Sequence, residues 1–174
     1  MTNTLERRAL TRRELLSRGA AVTVALVVGP GFVAGTTAAW AMDVAHLKPD
    51  TMATLIQMAR DIYPHDRLAD EYYAAAVKGY DTADSAPQIE EGIAALNAAA
   101  RGKGEASYLG TGWERDRVDI LRGMEESPFF QTIRGGLVTG LYNQKAVWPV
   151  FGYEGESYSE GGYINRGFDD ISWI

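Results

Sequence analysis

The chain has 174 residues, no cysteine and a formal net charge of −6 at pH 7. Without cysteine it holds no disulfide, no cysteine-ligated iron–sulfur cluster and no thioether-attached haem. Residues 1–41 carry five arginines against two glutamates, so the remainder stands near −9, a balance that repels phosphate backbones and argues against nucleic acid as a partner.

The first residues are basic, with Arg7, Arg8, Arg12, Arg13 and Arg18 ahead of an apolar run from Gly19 to Ala41. A membrane-spanning helix wants about 20 continuous apolar residues. This run approaches that length but is broken by Gly29-Pro30-Gly31 and again at Gly35. It ends in Ala39-Trp40-Ala41, the small-x-small pattern of a signal-peptidase site. Thr11-Arg12-Arg13-Glu14-Leu15-Leu16-Ser17 resembles the twin-arginine export consensus, with Leu15 for the usual Phe and Ser17 for the common Lys. Residues 1–41 are therefore read as a twin-arginine signal peptide, with Arg12 and Arg13 as the routing pair and Ala39 and Ala41 as the cleavage residues. An ordinary secretory signal and a retained anchor are the rival readings.

Residues 42–150 read as one helical domain. Pro49 and Asp50 open a first helix, in which Met52, Leu55, Ile56, Ala59 and Tyr63 make one apolar face, and Pro64 ends it. A second helix spans about 67–80, with Leu68, Tyr72, Ala76 and Tyr80 in line. Ser85 with Gln88 has the spacing of a capping box, followed by Ile89, Ile93, Leu96 and Ala100 on one face. A Gly-rich loop covers 101–112. Thr111 with Glu114 is a second candidate capping box, opening a helix that faces Val118, Leu121 and Met124 inward. Ser127 and Pro128 mark the start of a fifth helix, with Phe130, Ile133, Leu137 and Leu141 as its stripe. No long strand-like alternation occurs, so the expected fold is all-α, a small bundle of about five helices.

Residues 151–174 change character. Phe151, Tyr153, Tyr158, Tyr163, Phe168 and Trp173 are interleaved with glycines at 152, 155, 161, 162 and 167. Glycine permits tight turns and aromatics bring large contact area. This composition predicts an ordered, extended tail that packs its rings on its own bundle or on a partner chain. Tyr, Trp and Arg dominate interface hot spots, so Trp148, Tyr153, Tyr163, Arg166, Phe168 and Trp173 are the candidate partner-binding residues.

No catalytic constellation stands out. The Gly-x-Gly patterns at 29–31, 102–104 and 110–112 follow no predicted strand, so no dinucleotide site is implied. Asp61, His65 and Asp66 are metal-ligating types, but beside Pro64 their ordinary use is to satisfy free backbone groups at a helix end. Asp169 and Asp170 are adjacent in an extended segment and point to opposite sides, which does not suit paired acid–base catalysis.

Ala59-Arg60-Asp61-Ile62-Tyr63-Pro64-His65-Asp66, Leu141-Tyr142-Asn143, Trp148, Gly152-Tyr153-Glu154-Gly155, Gly161-Gly162-Tyr163 and Arg166-Gly167-Phe168 together resemble the gluconate 2-dehydrogenase subunit 3 family. The resemblance is dense at 59–66 and 141–173. It implies a non-catalytic small subunit, itself without cofactor. The catalytic partner would be a large FAD-dependent dehydrogenase of the glucose–methanol–choline type, acting on a sugar, aldonate or alcohol. A cytochrome c subunit would pass electrons on. The small subunit would assist maturation of the large one and carry it through the twin-arginine translocase to the periplasm, where the complex is membrane-associated. The alternative is a stand-alone exported binding module or small hydrolase.

Overall fold

Helix α1 (Pro49–Ile62) starts at a proline, which has no N–H to leave unsatisfied and a φ already suited to a helix; Asp50 adds negative charge in the first turn. It stops before Pro64, where a further turn would lose a hydrogen bond and clash. The computed structural model describes residues 44–164. Arg12, Arg13, Ala39, Ala41, Arg166, Phe168 and Trp173 lie outside the described residues.

Four more helices follow: α2 (Asp70–Val77), α3 (Ala86–Gly102), α4 (Glu114–Arg122) and α5 (Pro128–Tyr142). Short 3-10 turns occupy Lys78–Tyr80, Trp148–Phe151 and Ser157–Glu160. The described residues form an all-α bundle of five helices without strands, as expected. None of these helices is long and apolar enough to cross a membrane.

The helices alternate in direction. Asp70, at the start of α2, pairs with Arg60 near the end of α1, and Asp81, just past α2, bonds residues 45–47 ahead of α1. Helix α3 then runs with α1, from Glu90 beside Lys48 to Asn97 near Tyr108, whose hydroxyl reaches Asp61. Helix α4 runs back from Arg117 at Asp61, and α5 runs from Thr132 near Tyr80 to Tyr142 at His65.

Helix α1 is the hub, packed against each of the other four. Its burial corrects the expectation of a single apolar face: Thr51, Ala53, Thr54, Met58 and Asp61 are buried as well as Met52, Leu55, Ile56 and Ala59. The two threonines tolerate this because small side chains fit and Thr54 donates its hydroxyl to the Asp50 carbonyl (2.7 Å). Helix α2 is shorter than 67–80 and turned by one residue, so that Tyr73 and Val77 are buried while Tyr72, Ala76 and Tyr80 are half-buried. Its partner α5 approaches closely at Gly140, where an added Cβ would stand 2.8 Å from the Ala76 carbonyl oxygen. The α3 and α5 stripes are buried as read from their spacing, whereas α4 buries Ile120 with Leu121 and leaves Val118 and Met124 half-buried.

Two capping boxes do not form. Ser85 has helical backbone angles and makes no side-chain cap; its N–H donates instead to Thr82 Oγ1 (3.2 Å). Thr111 is buried and gives its hydroxyl to the Ser107 carbonyl (3.1 Å), and Trp113 takes the N-cap position of α4. Ser127 does cap α5, accepting the Phe130 N–H (3.2 Å).

Candidate functional site

The site is assembled where α1 ends. Arg60, in the last turn of α1, gathers the following loop: its Nε donates to Asp70 Oδ1 (2.9 Å), its Nη2 to the Leu68 carbonyl (3.1 Å), and its guanidinium lies over the Tyr73 ring. Tyr73 is buried and donates its hydroxyl to the Tyr63 carbonyl (2.6 Å), a free acceptor at the helix end. These bonds hold His65 against α5, where its Nε2 is 2.7 Å from the Tyr142 hydroxyl.

Phe151 closes the cluster from the far side. Its ring centre is 4.9 Å from His65 and 5.7 Å from Tyr142, and Tyr63 meets Tyr142 edge-on at 5.8 Å. Edge-to-face contacts at such distances are the favoured geometry for aromatic pairs. Burial, then the positive charge of Arg60, lowers the His65 pKa below its ordinary value. Burial, then Tyr63, raises that of the Tyr142 phenol. Both groups are therefore neutral at pH 7, and their hydrogen bond joins two uncharged partners.

Beyond α5, Trp148 donates its indole N–H to the Tyr142 carbonyl (2.8 Å), satisfying an acceptor left over by the helix end. Lys145 lies over the Trp148 ring and pairs with Glu156 (2.7 Å), and Tyr153 packs edge-on against Trp148 at 5.2 Å. The turn needs glycine: Gly152 has φ +75° and Gly155 has φ +105°, with Gly155 set against the indole. An open groove of about 430 Å³ results, lined by Tyr142, Asn143, Trp148, Phe151 and Tyr153.

Trp148 and Tyr153 are thus brought together, and the structure adds Tyr63, His65, Tyr142 and Phe151 to them. Tyr163 stands apart and is 75% exposed, next in line after Tyr158 at 93%. Over 151–164 the expected tail is turned by a 3-10 segment rather than extended throughout; Phe151 packs on His65 and Tyr142, while Tyr158 and Tyr163 stay exposed. Glycines with positive φ at 161 and 162 allow that turn.

A second layer lies beneath. Asp61 is buried and takes a two-pronged bond from Arg117 (Nε to Oδ2 2.7 Å, Nη2 to Oδ1 3.0 Å) with a third from the Tyr108 hydroxyl (2.6 Å). Arg117 also donates to the Thr111 carbonyl (3.0 Å). Burial works against the Arg117 charge, but Asp61 more than offsets it and its pKa rises. Burial and then Asp61 push the Tyr108 phenol well above its ordinary value. This network fixes the end of the Gly-rich loop, and the next residue after it, Trp113 at the N-cap of α4, projects 73% exposed at the same end of the bundle.

Asp61 is therefore committed to an ion pair rather than to the helix end, while His65 bonds Tyr142 and Asp66 is exposed. Among the described residues no three His, Asp or Glu side chains gather as metal ligands would. Trp113 escaped the sequence reading; its signal was a large ring set between Gly112 and the charged run Glu114-Arg115-Asp116. No protein-family model, curated protein or solved structure matches the chain.

Proposed function

We propose that this chain is the non-catalytic small subunit of an exported, FAD-dependent dehydrogenase of the glucose–methanol–choline type. It binds the large subunit through the aromatic end of the bundle and supplies the twin-arginine signal for both. FAD sits on the large subunit, which oxidises a sugar, aldonate or alcohol in the periplasm, and a cytochrome c subunit receives the electrons.

The observation that carries this reading is a convergence. The two segments in which the family resemblance is dense are about 80 residues apart, yet His65 of the first meets Tyr142 and Phe151 of the second in one cluster. Next to that cluster Tyr153, packed on Trp148, is half exposed, and Tyr158, Tyr163 and Trp113 also leave large ring surfaces uncovered. Rigid aromatics held by a fixed frame are what an interface hot spot requires. The segment leading out of residues 1–43 joins the opposite end of α1, a helix of 14 residues and so about 21 Å long. The signal and the large subunit can then be engaged together.

The test is co-expression with the large flavoprotein subunit. Tyr153→Ala with Tyr163→Ala should each remove about 2 kcal/mol of binding, roughly thirtyfold, and release the partner on purification. Circular dichroism should show the helices intact. A double variant that retains the partner at full stoichiometry, or a chain that binds FAD alone, refutes the assignment.

A further inference from the structure

Four successive backbone N–H groups ahead of α1 are satisfied by two carboxylates from far along the chain. The Ala45 N–H donates to Asp81 Oδ2 (2.8 Å), and those of His46 and Leu47 to Asp81 Oδ1 (2.8 and 2.9 Å). The Lys48 N–H donates to Glu90 Oε1 (2.9 Å), while its ammonium meets Glu90 Oε2 (3.0 Å). Asp81 also receives the Lys78 ammonium (3.1 Å), and its side chain is only 1% exposed. Leu47 is buried in the core between these bonds.

We propose that Asp81 and Glu90 form a carboxylate strap that sets where proteolytic processing from the N-terminal side stops in the folded protein. A protease binds its substrate as an extended strand and pairs with its backbone N–H and C=O groups, as in strand addition generally. Residues 45–48 cannot offer theirs, because the N–H groups are occupied and Leu47 is locked in the core. Cleavage after Ala41, which rests on the export reading, leaves only residues 42–44 outside the strap. Processing of the folded chain therefore ends at or before Val44. Asparagine at 81 would keep the shape but replace one acceptor oxygen by a donor NH2 facing the backbone N–H groups.

The experiment is digestion of the purified full-length chain with a broad-specificity protease, followed by mass spectrometry of the folded product. The native chain should lose nothing beyond Val44 from its N-terminal side, and Asp81→Asn should be trimmed from that side on to the start of α1 near Pro49. Hydrogen exchange at the amides of 45–47 should quicken about tenfold or more in that variant. If Asp81→Asn fails to fold, Glu90→Gln, which loosens only the Lys48 amide, should quicken exchange at 48 alone. Native protein trimmed past Leu47 while still helical, or unprotected amides at 45–48, overturns the strap. No partner is present in this experiment, so its outcome is independent of the co-purification test.

Discussion

The two ends of the bundle use polar and aromatic groups in opposite ways. At the end where residues 45–48 enter, Asp81 and Glu90 serve backbone N–H groups and the nearest large apolar side chain, Leu47, is buried. At the other end Asp61, Arg117 and Tyr108 satisfy one another internally, and above them stand rings that the bundle does not cover. The first end completes the fold of this chain. The second holds more aromatic surface than this fold covers, and it is there that the large subunit is proposed to dock.

The largest loss of stability is expected at the buried pair. Arg117→Ala leaves Asp61 buried without its cation and should cost about 3–5 kcal/mol, read from the urea midpoint at constant slope. A loss below about 1 kcal/mol would mean that the pair is screened as at a surface.

The strap end should be sensitive to acid. The N–H groups of Ala45, Leu47 and His46, with Lys78, hold the Asp81 carboxyl well below the usual carboxylate range against the opposing effect of burial. A depressed carboxyl contributes stability that is complete above its unfolded value, about 3.9, and lost as pH falls toward its folded value. Stability should decline below about pH 4, and Asp81→Asn should flatten that decline while lowering stability at pH 7. An unchanged acid limb in the variant would place the titration elsewhere.

The aromatic end has a gentler and higher window. Because the His65 pKa is lowered, the unfolded chain binds a proton first. Stability is then full above about pH 6.5 and falls as pH drops through that value, until the folded imidazole also protonates. His65→Gln should remove the slope between pH 7 and 5, as followed by thermal melts across that range. Smallest of all, Tyr158→Ala and Tyr163→Ala should shift the stability of the isolated chain by no more than about 0.5 kcal/mol, since both rings are exposed. A larger loss would show that the rings belong to this chain's own core.

Much of the helical frame was legible in local spacing. Pro49 opens α1, Pro64 closes it, Ser127-Pro128 starts α5, and the stripes Ile89-Ile93-Leu96 and Phe130-Ile133-Leu137-Leu141 face inward. Periodicity failed where more than one face is covered. Helix α1 is enclosed by four neighbours, so its stripe named only part of its buried surface, and α2 turned by one residue to place Tyr73 rather than Tyr72 under Arg60. The capping boxes at 85 and 111 had the right spacing but lost their hydroxyls or backbone angles to nearer turns. Within the candidate site, Trp148 and Tyr153 were legible as aromatics among glycines, whereas Trp113 stood alone in a polar stretch and His65 gave no sign of its partner.

By itself, the sequence determined what short-range forces decide: helix limits from proline and cap residues, and inward faces from three- and four-residue repeats. Only the tertiary structure decided which distant groups meet. Asp61 reaches Arg117 across 56 positions, Asp81 reaches Ala45 across 36, and His65 reaches Tyr142 across 77. Such pairs leave no periodic trace, because they depend on how helices are stacked and not on how each one is wound.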